Sequence, residues 1–291
     1  RQVLGLLPAR SLDQGIDYFN GLVETNLASH MADGTIRAYQ QASALSLMPV
    51  NLVGVAISNA AFPRMTERLA EGKNDLFRHE LRSVLRWIIW IALPVAVITY
   101  FGRGYVVNFI KNGGNPLISG LLGALVLSIL FRTIYHIAAR SFYAQQDTRT
   151  PLYVSIFAIV LNIVLAVSFT SVLGMGAYGL AWAQSIVAVV EVIILLVILA
   201  QRVPTLFNVD FFHAVIRMVS ASAAMGFVTY VCVQLFQLQS NDQSFFATFP
   251  KFAGIAGISF AAYVFISARL GLGEARPVIR RASAVLFGKR R

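Results

Sequence analysis

Two sets of ionisable residues in an otherwise apolar chain are spaced to do chemistry. Arg10, Asp13, Asp17, Asn20 and Glu24 recur at intervals of three and four within RSLDQGIDYFNGLVETNLASH. That spacing lines all five along one helical face. Farther on, Arg132 and His136 lie four apart, and Arg140 continues their face. A charge at the bilayer centre costs roughly 2.5–3.5 kcal/mol even on insertion scales, so both faces are expected to point at protein or water. Arg132 and His136 suit the anionic group of a substrate, or else they pair with the acidic face and hold helices together. Asp13, Asp17 and Glu24 suit a coupling ion or proton, or else they line a watery cavity with no specific ligand. Carboxylates repel an anion, so they are poor ligands for an anionic substrate.

The elements that must position these residues are membrane spans. The 291-residue chain is 57% hydrophobic and only 13% charged, with one cysteine and a net charge of +11. Its mean hydropathy is +0.68. A soluble domain of this composition would expose large apolar patches, so the fold class expected is all-α integral membrane. The basic residues sit between apolar runs rather than on a folded polar surface, which argues for membrane orientation and against a nucleic-acid partner. A single cysteine, Cys232, excludes an intrachain disulfide and a cysteine metal site. His30, His79 and His213 read as loop or interfacial residues, and no metal site is expected.

Crossing a hydrocarbon core takes about 20 residues. Eight stretches qualify: 10–30, 43–63, 84–102, 117–141, 151–173, 176–200, 211–238 and 247–270. The first is the least apolar, but Leu12, Ile16, Phe19, Leu22, Val23 and Leu27 oppose its acidic face. Basic residues are concentrated in the segment after the second span and in the tail. Arg37, Arg103, Lys111 and Lys251 fall on the other side, so both ends are expected to be cytoplasmic. Residues 64–86 look like a short amphipathic helix on that surface, and the tail after Arg269 resembles it. Either would hold anionic lipid headgroups or serve only to orient the chain. Pro49 and Pro94 fall inside spans, where each is a transporter-like bend or a tolerated packing kink. The chain opens RQVLGLLPAR with neither an initiator Met nor a signal-peptide pattern, so it is expected to be a fragment lacking an N-terminal part.

Several strings, in order, resemble the carboxyl-terminal half of the MurJ (MviN) lipid II flippase family, within the multidrug/oligosaccharidyl-lipid/polysaccharide exporter superfamily. They are LASHMADGTIRAY, LMPVNLVGVAISNAAFPRMTERLAEG, SFYAQQDTRTP and the Asn162 helix leading to GMGAYGLAWAQS. They cover roughly residues 10–200; the last two spans match only in hydropathy and position. The resemblance implies eight transmembrane helices forming the C-terminal lobe of a fourteen-helix, two-lobed transporter. Residues 1–200 would be the six-helix core, 201–270 two additional helices and 271–291 a basic cytoplasmic tail. It implies a missing N-terminal lobe and a bacterial cytoplasmic membrane. The expected partners are membrane lipids and an undecaprenyl-linked precursor, carried by ion- or potential-driven alternating access.

For the site, Arg132, His136 and Arg37 are the expected substrate-binding residues, read from their charge and position in this sequence. The family often has a Lys where His136 stands here. The family's usual cavity Arg before the proline falls on Ala44, and the Asp preceding it on Ser43. That departure bears on substrate identity more than on fold. Some family members resemble a sodium-coupled design, whose matching positions are Glu24, Asn162 and Gln184; the second carboxylate falls on Ala166. Losing that oxygen ligand weakens sodium, since a hard cation prefers several oxygens, and favours proton coupling through Asp17 or Glu24. Glu191, seven residues after Gln184, belongs to the polar interior or pairs with Arg217 or another base. No nucleophile–base pair or nucleotide motif is present, so no cofactor and no enzymatic activity are expected. The rival readings are an exporter of another polyprenyl-linked glycan or of drugs, and a non-transporting scaffold derived from a flippase.

Overall fold

The computed structural model describes residues 34–111, 113–238 and 244–286. The acidic face of Asp13, Asp17 and Glu24, and the whole 10–30 stretch, lie outside the described residues. Among the described ones every regular element is helical: α1 Thr35–Pro49, α2 Ala56–Ala70, α3 Asn74–Asn108, α4 Pro116–Ala124, α5 Val126–Ala144, α6 Arg149–Val167, α7 Ala177–Arg202, α8 Val209–Leu235, α9 Phe245–Arg269 and α10 Ala275–Leu286. Six helical stretches are long and apolar enough to cross a membrane, and the bent α4–α5 pair makes a seventh if counted as one span. This is an all-α multi-pass membrane protein. Its apolar surface supports that directly: α6 exposes Tyr153, Phe157, Val160 and Val164, one helical stripe that only hydrocarbon solvates well.

The chain forms two compact units. The first takes 117–206 together with the chain up to Leu85. Here α5 packs on α7, α7 on α6, and the turn linking α1 to α2 packs on α5. Small residues make the approach close: Ala138, Ala139, Ala181, Ala183 and Ala188 are all buried. That linking turn, Val50–Val55, is π-helical and follows Pro49 directly. At the N-terminal end of α7, Gly176 takes φ 56° and ψ −137°, which a side chain would not tolerate, and α7 starts at the next residue.

The second unit comprises Arg86–Pro116 and Phe207–Arg291. Its centre is Trp90, buried among Met218, Ala221, Met225 and Tyr263. Trp90 Nε1 donates to Ser267 Oγ at 3.2 Å, and Asn108 Nδ2 to Thr248 Oγ1 at 2.8 Å, tying α3 to α9 at two depths. Arg86 Nε donates to Glu274 Oε1 at 2.5 Å just before α10.

Two expectations change. The second span starts at Thr35 rather than near 43 and runs to Ala70. Residues 64–86 are not a separate surface helix: α2 ends at Ala70, Gly72 turns with φ 71°, and α3 begins at Asn74 and continues unbroken through Pro94. The bases expected to meet lipid are partly engaged with protein. Arg78 Nη1 donates to Pro204 O at 3.2 Å and Thr205 Oγ1 at 2.8 Å, and Arg82 Nε donates to Leu206 O at 2.8 Å.

Candidate functional site

Arg132 and His136 lie on α5, both half-buried. Arg132 Nε is buried with no hydrogen-bond partner among the described residues. Neither residue makes an ion pair among the described residues, although six such pairs form elsewhere. A guanidinium nitrogen held away from water without a partner is an anion-seeking group, because leaving it unmet costs more than most hydrogen bonds return.

Gly54 builds this face from the other side. A Cβ there would sit 2.9 Å from Thr133 Cα, 2.9 Å from its carbonyl oxygen and 3.1 Å from His136 Cδ2. Only glycine lets the π-turn and α5 approach so closely. One turn later Ser58 is fully buried, and its Oγ has no partner among the described residues. Thr133, between Arg132 and His136, turns its hydroxyl back to Ile129 O at 2.7 Å.

The remaining predicted residues distribute unevenly. Asn162 is buried on α6, and Gln184 on α7 buries an Oε1 with no partner among the described residues. These two helices pack together, while Glu24, the third member, lies outside the described residues. Arg37 is exposed in the first turn of α1. Seventeen residues separate it from Gly54, which at the helical rise is about 25 Å. Arg37 is thus set apart from the Arg132–His136 face by close to the thickness of a hydrocarbon core. Glu191 joins the polar interior: Ser155 Oγ donates to its Oε1 at 3.2 Å, and Tyr135 Oη lies 3.1 Å from Ser155 Oγ. Ala44, at the position of the family's usual Arg, is exposed on α1.

The SFYAQQDTRTP loop proves to be a clamp. Asp147 Oδ1 accepts from the Arg149 and Thr150 amides at 2.9 and 3.1 Å, capping α6, and Oδ2 accepts from Thr150 Oγ1 at 2.6 Å. Arg202, at the end of α7, pairs with Asp147 and covers the Phe142 ring at 5.2 Å. Partial burial by itself raises the Asp147 carboxyl. The Thr150 hydroxyl and amide, Arg202 and the Arg149 amide outweigh it and hold the group down at about 2.

Ser58, Gly54 and Ser185 of α7 were not singled out by the sequence. A serine or glycine in an apolar run carries no periodic signal, and its meaning comes from the helix it meets. Among the described residues no three His, Cys, Asp or Glu side chains gather where they could hold a metal ion.

Comparison with known proteins fits this arrangement. The family description "Lipid II flippase MurJ" matches residues 1–251. The chain belongs to the MurJ family. Among its curated relatives, each named "Probable lipid II flippase MurJ", the protein of Rhizobium meliloti is 24% identical over 284 residues, 95% of this chain and 52% of that protein. That of Thermotoga maritima is 25% identical over 275 residues, 90% of this chain and 51% of that protein. That of Borreliella burgdorferi is 26% identical over 185 residues, 60% of this chain and 36% of that protein. The chain therefore spans about half or less of the length of these MurJ relatives. A solved lipid II flippase MurJ in an inward closed conformation superposes with TM-score 0.74 at 22% identity, covering 92% of this chain and 53% of that one. A MATE structure in complex with MaD3S superposes with TM-score 0.62 at 12% identity, covering 98% of this chain and 68% of that one. The fold is shared by both.

Proposed function

We propose that this chain is the C-terminal lobe of a lipid II flippase, a transporter rather than an enzyme, which moves a lipid-linked peptidoglycan precursor across a bacterial cytoplasmic membrane by alternating access. The observation that carries this reading is the family match across residues 1–251. Eight spans, both ends cytoplasmic, would complete a fourteen-helix protein with a preceding lobe. Within the lobe, 1–200 form the six-helix core, 201–270 two added helices and 271–291 the basic tail.

The barrier to be lowered is that of bringing a pyrophosphate through hydrocarbon. An unpartnered guanidinium inside a span supplies the opposite charge where water cannot. Arg132 meets the pyrophosphate in this scheme, with His136 beside it, and Arg37 meets the precursor near the outer surface. Drive comes from a cation: a proton on Asp17 or Glu24, or sodium held by Glu24, Asn162 and Gln184, with Asp13 contributing to the same field. Rescue of a flippase-depleted strain by the full-length protein is the test. A well-expressed protein that fails to rescue rejects the lipid II assignment.

A second reading, an exporter of another polyprenyl-linked glycan or of drugs, draws on Ala44, which removes the family's usual cavity Arg, and on the MATE-like fold. Failed rescue combined with transport of such a compound by the same protein would select it.

A further inference from the structure

The α4–α5 span is bent, and the cause lies in another helix. α4 and α5 meet at Leu125 with an angle of 45° between them. Above and below the break the ladder holds: Leu125 N–H donates to Leu121 O at 3.0 Å, and Ile129 N–H to Leu125 O at 3.0 Å. In an unbroken helix the Ser128 N–H would donate to the Ala124 carbonyl, four residues back. Here a side chain from α7 stands between them. Ser185 Oγ donates to Ala124 O at 2.7 Å and accepts from Ser128 N–H at 3.3 Å. Ser185 is fully buried, so no water competes for either group. Insertion of a side chain into the backbone ladder is one of the few physical causes of a sharp helix bend.

The same face of α7 touches the α4 arm a second time. Tyr178, seven residues before Ser185 and so nearly on its face, lays its hydroxyl against Gly120, where a side chain would collide with it. Thus α7 grips α4 at Gly120 and opens the ladder at Leu125. Arg132 follows Ser128 by one turn on α5. The angle at Leu125 consequently decides where the Arg132–His136 face points relative to the α4 arm.

We propose that Ser185 is a positioning residue for transport: its hydroxyl, wedged between Ala124 and Ser128, sets the bend and through it the placement of Arg132 and His136. The inference rests on the transport reading for its consequence, while the bend itself can be measured whatever is transported. In the Ser185→Ala variant the Ala124 carbonyl and Ser128 amide are left to bond each other, which straightens the span. Full straightening swings Ser119, six residues above the break, by up to about 7 Å at the helical rise.

The experiment uses the full-length protein with spin labels at Ser119 on α4 and Ile193 on α7. The expected result for Ser185→Ala is a shift of several ångströms in that distance and about a tenfold slower transport of lipid II, the size that one lost buried interaction gives. Ser185→Thr, which keeps the hydroxyl, retains the parent distance and transport. Ser141→Ala, which removes a hydroxyl bonded only within α5 to Ala138 O, leaves both unchanged and controls for a general loss of packing. An unmoved distance in Ser185→Ala overturns the wedge, and a moved distance with unaltered transport overturns the positioning role. A protein that fails to carry lipid II even before substitution bears on the flippase reading alone, since the distance still reports the bend.

Discussion

In the first unit Arg132 sits half-buried within a span, its Nε without a partner among the described residues. In the second, Arg86 is held to Glu274, whose side chain is only 7% exposed, through a 2.5 Å contact. One cation is left wanting an anion and the other has been given one by its own chain. The second unit also fills its centre with close-set rings, Trp90 against Trp87, Phe260 and Tyr263. The first instead joins its helices through small residues, a glycine contact at Gly54 and a hydroxyl wedge at Ser185. On the flippase reading, the contrast separates a charge kept for a transported anion from one that only holds its unit together. The first unit does pair other charges, Arg202 with Asp147 among them, so it is Arg132 in particular that is left open, as suits a residue that must bind and release an anion.

Breaking the paired charge should give the largest effect on stability. Arg86→Ala leaves Glu274 buried with no counter-ion and is expected to cost about 3 kcal/mol, measured as a lower thermal midpoint of the purified full-length protein. Replacing both residues by apolar ones of similar size, Arg86→Met with Glu274→Leu, should recover most of that loss, because no orphaned charge remains. A single variant as stable as the parent would show that the pair is solvated and that the contrast between the units is empty.

The unpaired charge should behave in the opposite way. Arg132→Ala breaks no ion pair among the described residues, so the thermal midpoint should hold or rise. Transport should fall on the order of 100-fold, the free-energy scale of a charge inside a span. His136→Ala should lower it less, since it leaves the Arg132 guanidinium in place. Reconstituted flipping measured alongside thermal melting separates the two readouts, and normal flipping by Arg132→Ala would falsify its role as the anion ligand.

Gly54→Ala sharpens the same contrast from the packing side. Its new methyl meets Thr133 backbone at 2.9 Å, and backbone cannot rotate away as a side chain can. Overpacking of this kind costs about 1–3 kcal/mol and pushes α5 outward with Arg132 and His136. The midpoint and the transport rate should fall together, unlike in Arg132→Ala, where only transport falls. An unchanged midpoint would mean that the π-turn, and not Gly54, absorbs the strain.

How much of this was legible before any coordinates follows from the range of each interaction. The spacing of four between Arg132 and His136 is a local property of one helix, and the two residues do share a face of α5. The seven spans proposed beyond residue 30 each coincide with helical structure, because 18 or more apolar residues leave the backbone little alternative. Hydropathy misjudged the ends. It sees the hydrocarbon thickness rather than the helix, so it missed the polar turns from Thr35 onward and Arg64–Ala70, which simply prolong α1 and α2. Residues 64–86 had a correct amphipathic period, but the fate of Arg78 and Arg82 was set by the carbonyls of a loop more than 120 residues away. Ser185, Gly54 and Ser58 were invisible for the same reason, since each matters only through the helix opposite. Asp147, by contrast, was singled out within a motif whose capping geometry is local, yet the Arg202 half of the clamp was not.

That clamp gives the smallest predicted effect and the one with a pH signature. The Asp147 carboxyl is held at about 2, below its ordinary value near 3.8. A depressed carboxyl contributes its stability in full above the unfolded value and loses it as pH falls through the folded one. The loss therefore falls between about pH 4 and pH 2, and neutral conditions leave the clamp intact. After allowance for solvent around Arg202, whose side chain is 39% exposed, the contribution is on the order of 1 kcal/mol. Asp147→Asn keeps a good cap for α6 but removes the charge that Arg202 meets. The gap in thermal midpoint between parent and Asp147→Asn should be constant from pH 7 to pH 5 and close as the pH approaches 2. A gap that persists at pH 2 would assign the clamp's strength to hydrogen bonds that survive protonation rather than to the ion pair.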